Sequence, residues 1–336
     1  MTNTYHPQKG PYLRDLQPGD RFIGFYVVRN KQLEPFRDPS RGVFLTLILS
    51  DRSGQLLARV WDNAESTADK LEKKTIIKID GEVETYLDRT QIRVLQIRPA
   101  KEDEYDLRDM LPTSERDPDE MTAELAPYIE QITNPHLRQL VDHFFTDKDF
   151  LTRFRQVPAA RRIHHAYLGG LLEHVLEIAK ICITVLEIYP QIDADLLLAG
   201  ALLHDIGKLR EYTWDFDIDY SDEGRLLGHI VMGDEMITDA LASMPEFPPE
   251  LALRLRHTLL SHHGRYEWGS PRRPKTLEAI ALHHIENLDA QINRFHLLIK
   301  NAPPDDAWTP YDRLLGRQLY AGDREDLLVE ERGWIE

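Results

Sequence analysis

The chain has 336 residues, a formal net charge of −16 and a single cysteine. With 42% hydrophobic and 29% charged residues, it has the composition of an ordinary globular protein, not of a disordered or fibrous one. No apolar run reaches the roughly 18–20 residues of a membrane helix. The polar start Met1-Thr2-Asn3-Thr4 lacks a signal core. Cys182 has no partner for an internal disulfide, so a reducing cytoplasm and a core-filling thiol are expected.

The length suggests two domains. Residues 1–100 read as strands: Arg21 to Val28, Val43 to Leu49, Gln55 to Trp61, Thr75 to Val83 and Gln91 to Ile97 are rich in Val, Ile, Leu and aromatics. Alternation of Ile76, Lys78 and Asp80 with Ile77 and Ile79 fits one buried and one wet face. Asp51-Arg52-Ser53-Gly54 and Leu87-Asp88-Arg89 mark turns. A helical stretch from about Ala64 to Lys74 falls between the third and fourth strands. Five strands with a helix in that place predict an OB-fold barrel. From Tyr12 to Ala100, 15 Lys+Arg face 13 Asp+Glu, so the rest carries −18. This imbalance suits either a local nucleic-acid groove or dense metal-binding carboxylates and does not choose between them.

The acidic segment 101–119, with Pro112 and Pro118, reads as a linker. Residues 120–301 read as helical almost throughout, with no returning strand alternation. Residues 302–336 read as a peripheral tail. The expected fold is therefore a two-domain chain, an N-terminal all-β barrel followed by an all-α domain.

Of 14 histidines, 11 lie between His164 and His296. On a helix from about Ala166 to Tyr189, His174 falls on the apolar face of Leu171, Val175, Ile178 and Val185. On the next helix, Leu197, Ala201 and His204 share a face and Asp205 follows. On the last clear helix, Asp289 falls on the stripe of Leu282, Ile285 and Ile292. An ionised Asp among apolar neighbours is costly unless it is paired or bound to a metal, and neither Asp205 nor Asp289 has an evident cation on its stripe. A lone histidine on such a face is usually a hydrogen-bonded packing residue. Two His and two Asp on core-facing stripes of separate helices are what a buried divalent site needs. Imidazole with carboxylate suits Mn, Fe, Co, Ni or Zn better than Mg or Ca.

The string Leu203-His204-Asp205-Ile206-Gly207-Lys208 resembles the signature of the HD superfamily of metal-dependent phosphohydrolases. The order His174, His204-Asp205, His229, His262-His263, Asp289 resembles its two-metal version. The resemblance implies that His174, His204, Asp205 and Asp289 hold one metal. Asp205 would bridge to a second, held by His229 and His262, with His263 close by. Mn is the first expectation for the pair. Further strings narrow the likeness: the run from His164-His165 through Gly169-Gly170 to His174, Gly228-His229-Ile230, Ser261-His262-His263-Gly264, Gly269-Ser270-Pro271 and Asn287-Leu288-Asp289-Ala290. They resemble the YhaM-type 3′→5′ exoribonucleases, which join an N-terminal OB-fold to a C-terminal HD domain.

That resemblance implies single-stranded RNA, or also DNA, as substrate and nucleoside 5′-monophosphates as products. Two metals would offset the anionic repulsion that protects a phosphodiester. Asp205 is the expected central residue, Lys208 a cation facing the phosphate, and His165 an acid for the leaving 3′ oxygen. Arg272 and Arg273 are expected to grip a second phosphate. On the barrel, Phe36, Phe44, Trp61 and Tyr86 are candidate base stackers, with Arg37, Arg59, Arg89 and Arg93 as phosphate partners. Two other functions share these features: a cyclic- or small-nucleotide phosphohydrolase, and a non-enzymatic RNA-binding module with a structural metal. No membrane partner is expected, and the oligomeric state is open.

Overall fold

The structure, a computed structural model, describes residues 9–72, 75–86, 89–161, 165–303 and 306–322. His164, the Leu87-Asp88 part of one turn signal, the last two residues of the expected helix Ala64 to Lys74, and tail residues 323–336 lie outside them.

Five strands close into a barrel in the order β1-β2-β3-β5-β4. They are β1 (Arg21–Pro35), β2 (Val43–Asp51), β3 (Gly54–Val60), β4 (Ile76–Tyr86) and β5 (Arg89–Pro99), with α1 (Ala64–Lys70) between β3 and β4. All neighbours are antiparallel except β3 and β5, whose parallel pairing sets Arg59 opposite Arg93. Closure removes exposed sheet edges. Leu45, Leu47, Leu49, Ile77, Ile79 and Ile92 fill the interior. β1 runs to Pro35, well past the expected end at Val28, because residues 30–35 still pair with β2 beyond an irregularity at Val28/Asn30.

The expected linker is partly structured. It carries α2 (Leu107–Met110), and Met110 packs with Phe25, Val27 and Ile76 of the barrel. The helical part contains α3 (Pro118–Glu130), α4 (Pro135–Phe145), α5 (Lys148–Phe154), α6 (Gly170–Ile188), α7 (Ala194–Leu203), α8 (Lys208–Glu211), α9 (Asp222–Leu226), α10 (His229–Ala242), α11 (Pro249–Ser261) and α12 (Leu277–Lys300). Asp and Asn side chains cap α3, α4, α5 and α7, accepting from the backbone N–H groups of the first turn. α7 is buried from Leu196 to Leu203 and packs against α6, α4, α11 and α12. It is the central rod of the domain.

The helical reading after residue 120 holds, with one short addition. A two-stranded ladder, β6 (Tyr212–Thr213) with β7 (Asp219–Tyr220), follows α8. Two residues per strand are too few for alternation to show in the sequence. The turn between them docks on the barrel: Phe216 packs beside Phe25, Val27 and Met110. Arg29 of β1 donates to the Phe216 carbonyl at 2.9 Å and pairs with Asp217 at 2.7 Å. Among the described residues, no helix is long and apolar enough to cross a membrane.

Candidate metal centre and nucleic-acid interface

α7 ends at Leu203, and the chain turns through His204 and Asp205 into α8. Both side chains are nearly sealed from solvent. The following Gly207 lets the start of α10 press against this turn, since a Cβ there would fall 2.0 Å from the His229 carbonyl oxygen. That approach brings His229 Nε2 to 3.5 Å from Asp205 Oδ1, and His262, just past α11, places its Nε2 3.6 Å from the same oxygen. On the other carboxylate oxygen, Oδ2, His204 Nε2 lies at 3.3 Å and His174 Nε2 at 3.7 Å. Asp205 thus stands between two groups of imidazoles.

The ring orientations are set from behind. His204 Nδ1 donates to the Ala201 carbonyl at 2.9 Å, His262 Nδ1 to Leu259 at 2.6 Å and His263 Nδ1 to Trp268 at 2.9 Å. His229 Nδ1 donates to the Glu211 carboxylate at 3.0 Å. Each such bond puts the proton on Nδ1 and leaves a lone pair on Nε2, the usual support of a metal-binding imidazole. Asp205 Oδ1, His229 Nε2 and His262 Nε2 are buried and have no hydrogen-bond partner. Such orphans are costly in a folded protein. On the first side, His174 Nδ1 faces Asp289 Oδ2 at 2.7 Å while its Nε2 lies 3.3 Å from His204 Nε2. Either a proton on His204, whose pKa Asp205 raises against the pull of burial, or a metal ion between the rings relieves the repulsion of these two nitrogens. The donor set therefore fits divalent metal. His174, His204 and Asp205 form one possible ligand group, His229, His262 and His263 a second, and His165, His174 and Asp289 a third.

Electrostatics follow the same layout. Burial opposes ionisation of Asp205, but Lys208, then His204 and His229, hold its carboxyl well below the ordinary range. Burial pushes His174 and His263 down to about 4. It also holds His262 well below the usual imidazole range. Burial thus favours in all three the neutral form that a metal ligand needs. Asp289 is buried, yet hydrogen bonds from His165 and His174 keep it strongly ionised.

The expectation that Asp205 lacks a local cation is corrected by Lys208, buried and ion-paired with it one turn on. Lys208 opens α8 three residues past Asp205, across the turn, which a reading of α7's stripe alone does not reach. Asp289 likewise has His165 and His174 beside it. Ile292, expected on the buried stripe of α12, is exposed, while Leu282, Ile285 and Asp289 are buried. His165 does not sit as a free acid. Its Nδ1 contacts the Tyr167 hydroxyl at 2.8 Å, its Nε2 lies 3.2 Å from Asp289, and it is 1% exposed. Arg272 and Arg273 are exposed beyond α11.

Three carboxylates escaped sequence reasoning. Glu211 orients His229. Glu177, one turn after His174 on α6, reaches His165 at 3.4 Å. Glu286, one turn before Asp289 on α12, is pushed up to about 7 by burial and by the Asp205 carboxylate. The i±3 spacing from a candidate ligand is the available signal for the last two.

On the barrel, Phe36, Phe44 and Trp61 cluster with ring centroids 5.0–5.8 Å apart. The Arg59 guanidinium lies 5.3 Å from the Phe44 ring and 5.4 Å from both Trp61 and Tyr86. Arg41, not anticipated, covers Phe36 at 4.3 Å. Arg93 is exposed across from Arg59, and Arg37 and Arg89 are exposed outside the cluster. Phe44, expected as a stacker, is buried as a packing residue of the cluster. The half-buried Phe36 and Trp61 and exposed Tyr86, with arginines beside them, are the kind of cationic, aromatic face by which OB-folds hold single strands.

A closed barrel with such a surface, joined to a helical domain whose buried His and Asp groups converge, defines a metal-dependent hydrolase of the HD class with a nucleic-acid-binding OB-fold. Comparison agrees: the HD domain family matches residues 171–291 and the OB-fold nucleic acid binding domain family residues 27–100. The 3′-5′ exoribonuclease YhaM of Shouchella clausii is 36% identical over 87% of this chain and 90% of its own. The proteins of the same name from Bacillus subtilis and Bacillus licheniformis are 36% and 37% identical, each over 82% of this chain and 88% of theirs. The chain belongs to the YhaM family of 3′→5′ exoribonucleases.

Proposed function

We propose that this protein is a metal-dependent 3′→5′ exoribonuclease that shortens single-stranded RNA, and single-stranded DNA as well, one nucleoside 5′-monophosphate at a time. The observation that carries this reading is the convergence of unpartnered Asp205 Oδ1, His229 Nε2 and His262 Nε2 beside the facing nitrogens of His174 and His204. In this reading His174, His204, Asp205 and Asp289 hold one divalent ion. Asp205, His229, His262 and His263 hold a second, with Mn first among Mn, Fe, Co, Ni and Zn. When bound, the pair lowers the pKa of water and neutralises charge developing on the phosphoryl oxygens.

The chain's own groups do the rest. Ala201, Leu259, Trp268 and Glu211 fix each imidazole so that Nε2 faces the site. Lys208, buried against Asp205, is the cation assigned to the scissile phosphate. Hydrolysis adds water across the bond between phosphorus and the penultimate 3′ oxygen. That oxygen leaves with a proton as a new 3′ hydroxyl, and the terminal residue leaves as a 5′-monophosphate. Glu286, which burial and the Asp205 carboxylate push up to about 7, is a candidate to supply this proton. The Arg59 platform supports a polymer over a cyclic or small nucleotide, which would not reach the barrel.

The test uses full-length protein, Mn²⁺ and two labelled oligoribonucleotides, one with a free and one with a blocked 3′ end. Ladders from the free strand alone, with mononucleotide product, are expected. Equal degradation of both strands would remove the 3′→5′ direction. Turnover undiminished by a chelator would remove the metals.

A further inference from the structure

The hydrophobic effect buries large apolar side chains, and scattered exceptions need no explanation. Four such exceptions flank, in sequence, the histidines of the second group. Leu226 and Leu227, immediately before Gly228-His229, are 83% and 46% exposed. Tyr266 and Trp268, three and five residues after His263, are 59% and 45% exposed. Both chain segments that deliver these histidines thus present bare apolar surface.

The second segment is tied rigidly to the centre. The Trp268 carbonyl accepts from Nδ1 of His263, whose ring lies 4.5 Å from that of His262 and 5.1 Å from that of His229. Trp268 N–H in turn donates to the Arg265 carbonyl at 3.1 Å, closing a turn of 3₁₀ helix over Tyr266–Trp268. The Arg265 guanidinium lies 4.8 Å from the Trp268 ring centroid, and His283 flanks the ring at 6.0 Å. An aromatic platform with a guanidinium on it, one hydrogen bond behind a candidate ligand, is poor chemistry for a lipid or an apolar peptide. It suits a planar, electron-rich heterocycle on a phosphate-bearing chain.

We propose that Trp268, with Tyr266 and Arg265, forms a nucleobase subsite in the helical domain that stacks the base of the terminal nucleotide beside its phosphate. The proposal deepens the exonuclease reading and rests on it. The barrel platform would hold the strand upstream, and this subsite would seat the residue being removed. Because every base has a π face, stacking here serves all four nucleotides.

Two measurements separate this proposal from the reading beneath it. Binding of adenosine 5′-monophosphate and of ribose 5-phosphate is compared by calorimetry on full-length, Mn²⁺-loaded protein. Wild type is expected to prefer the base-bearing ligand about tenfold or more, since stacking contributes ~1–3 kcal/mol per base. Trp268→Ala should lose that preference while binding ribose 5-phosphate as before, and Trp268→Phe should recover part of it. In the kinetic arm, strands identical except for a base-bearing or abasic 3′-terminal residue are digested. Trp268→Ala should raise KM for the first strand relative to the second, so that the advantage of the base-bearing residue is lost. Equal affinities of wild type for the two ligands, or equal losses for both in Trp268→Ala, would overturn the subsite. A preference in binding without digestion of any strand would support the subsite and remove the exonuclease reading instead.

Discussion

His165 and Asp289 meet inside the helical domain, imidazole Nε2 to carboxylate Oδ2, at 3.2 Å. The same Asp289 oxygen lies 2.7 Å from His174 Nδ1, so the contact forms one link from Tyr167 through His165 and Asp289 to His174. Burial would lower the His165 pKa, but Asp289 and Glu177 outweigh it and raise it to about 9. His165 also holds a left-handed backbone conformation at φ +46°, a strain that surrounding contacts must sustain. Its backbone N–H donates to the Asn293 side chain at 3.1 Å. These features support a positioning role for it behind the candidate ligands. Loss of such outer support lowers metal affinity about 10–100-fold. His165→Asn, which tolerates the left-handed region, and His165→Ala should both show that loss when apoprotein is titrated with Mn²⁺. Wild-type affinity in both variants would remove the role.

Asp205, a candidate metal ligand, also has a cation beside it. With Lys208 buried against it, Asp205→Ala should abolish metal retention and turnover and also strand a buried ammonium. Removing one partner of a buried pair costs about 3–5 kcal/mol, which a urea melt of metal-free protein would report. Adding Lys208→Met should restore much of that stability without restoring metal. Metal bound at wild-type stoichiometry in Asp205→Ala would end the bridging assignment.

The sequence announced some of this and hid the rest for physical reasons. The barrel strands were legible because Val, Ile and aromatics recur between turn signals, and ladder pairing extended them by a few residues. His174, His204, Asp205 and Asp289 were legible because polar residues on apolar helix stripes are conspicuous. Lys208 as the partner of Asp205 was not, because α8 is a short separate helix whose direction is set by packing under α10. Glu211 was hidden for the same reason: its role depends on α8 and the start of α10 meeting across Gly207. The Phe216 contact with the barrel joins residues far apart in the chain and leaves no local pattern.

The barrel platform predicts a separation of binding from chemistry. Arg59 stands among Phe44, Trp61 and Tyr86, and its Nε is buried without a hydrogen-bond partner. Arg59→Ala or Trp61→Ala should weaken binding of single-stranded RNA by about 1–3 kcal/mol and raise KM for long strands. Hydrolysis of a minimal phosphodiester should be unchanged. Arg93→Ala should weaken RNA binding and flatten its salt dependence. Filter binding at two salt concentrations checks this, and unaltered affinity in all three variants would assign the platform to packing.

Cys182 lies within α6 and is fully buried, which pushes its thiol up to about 12. The thiolate is the reactive form, so native protein should resist alkylation at pH 8 and label only in denaturant. Because the folded thiol holds its proton longer than the unfolded one, the sign of the linkage is a loss of stability as pH rises above the ordinary thiol range. Rapid native labelling at pH 8 would show that α6 opens readily.

Gly264 makes the sharpest packing prediction. It holds φ +75°, and a Cβ there would fall 2.2 Å from the His283 ring. His283 cannot simply swing aside, because its Nδ1 donates to the His262 carbonyl at 2.8 Å and so braces a candidate ligand. Gly264→Ala should therefore incur two costs, ~1–2 kcal/mol for a left-handed alanine and the displacement of His283. The displacement should appear as weaker metal binding as well as a lower melting temperature. Combining Gly264→Ala with His283→Ala removes the clash and leaves the backbone cost, so the double variant should melt higher than the sum of the single changes implies. Strict additivity in that cycle would mean that the ring and the glycine do not meet, and that the brace on His262 comes from elsewhere.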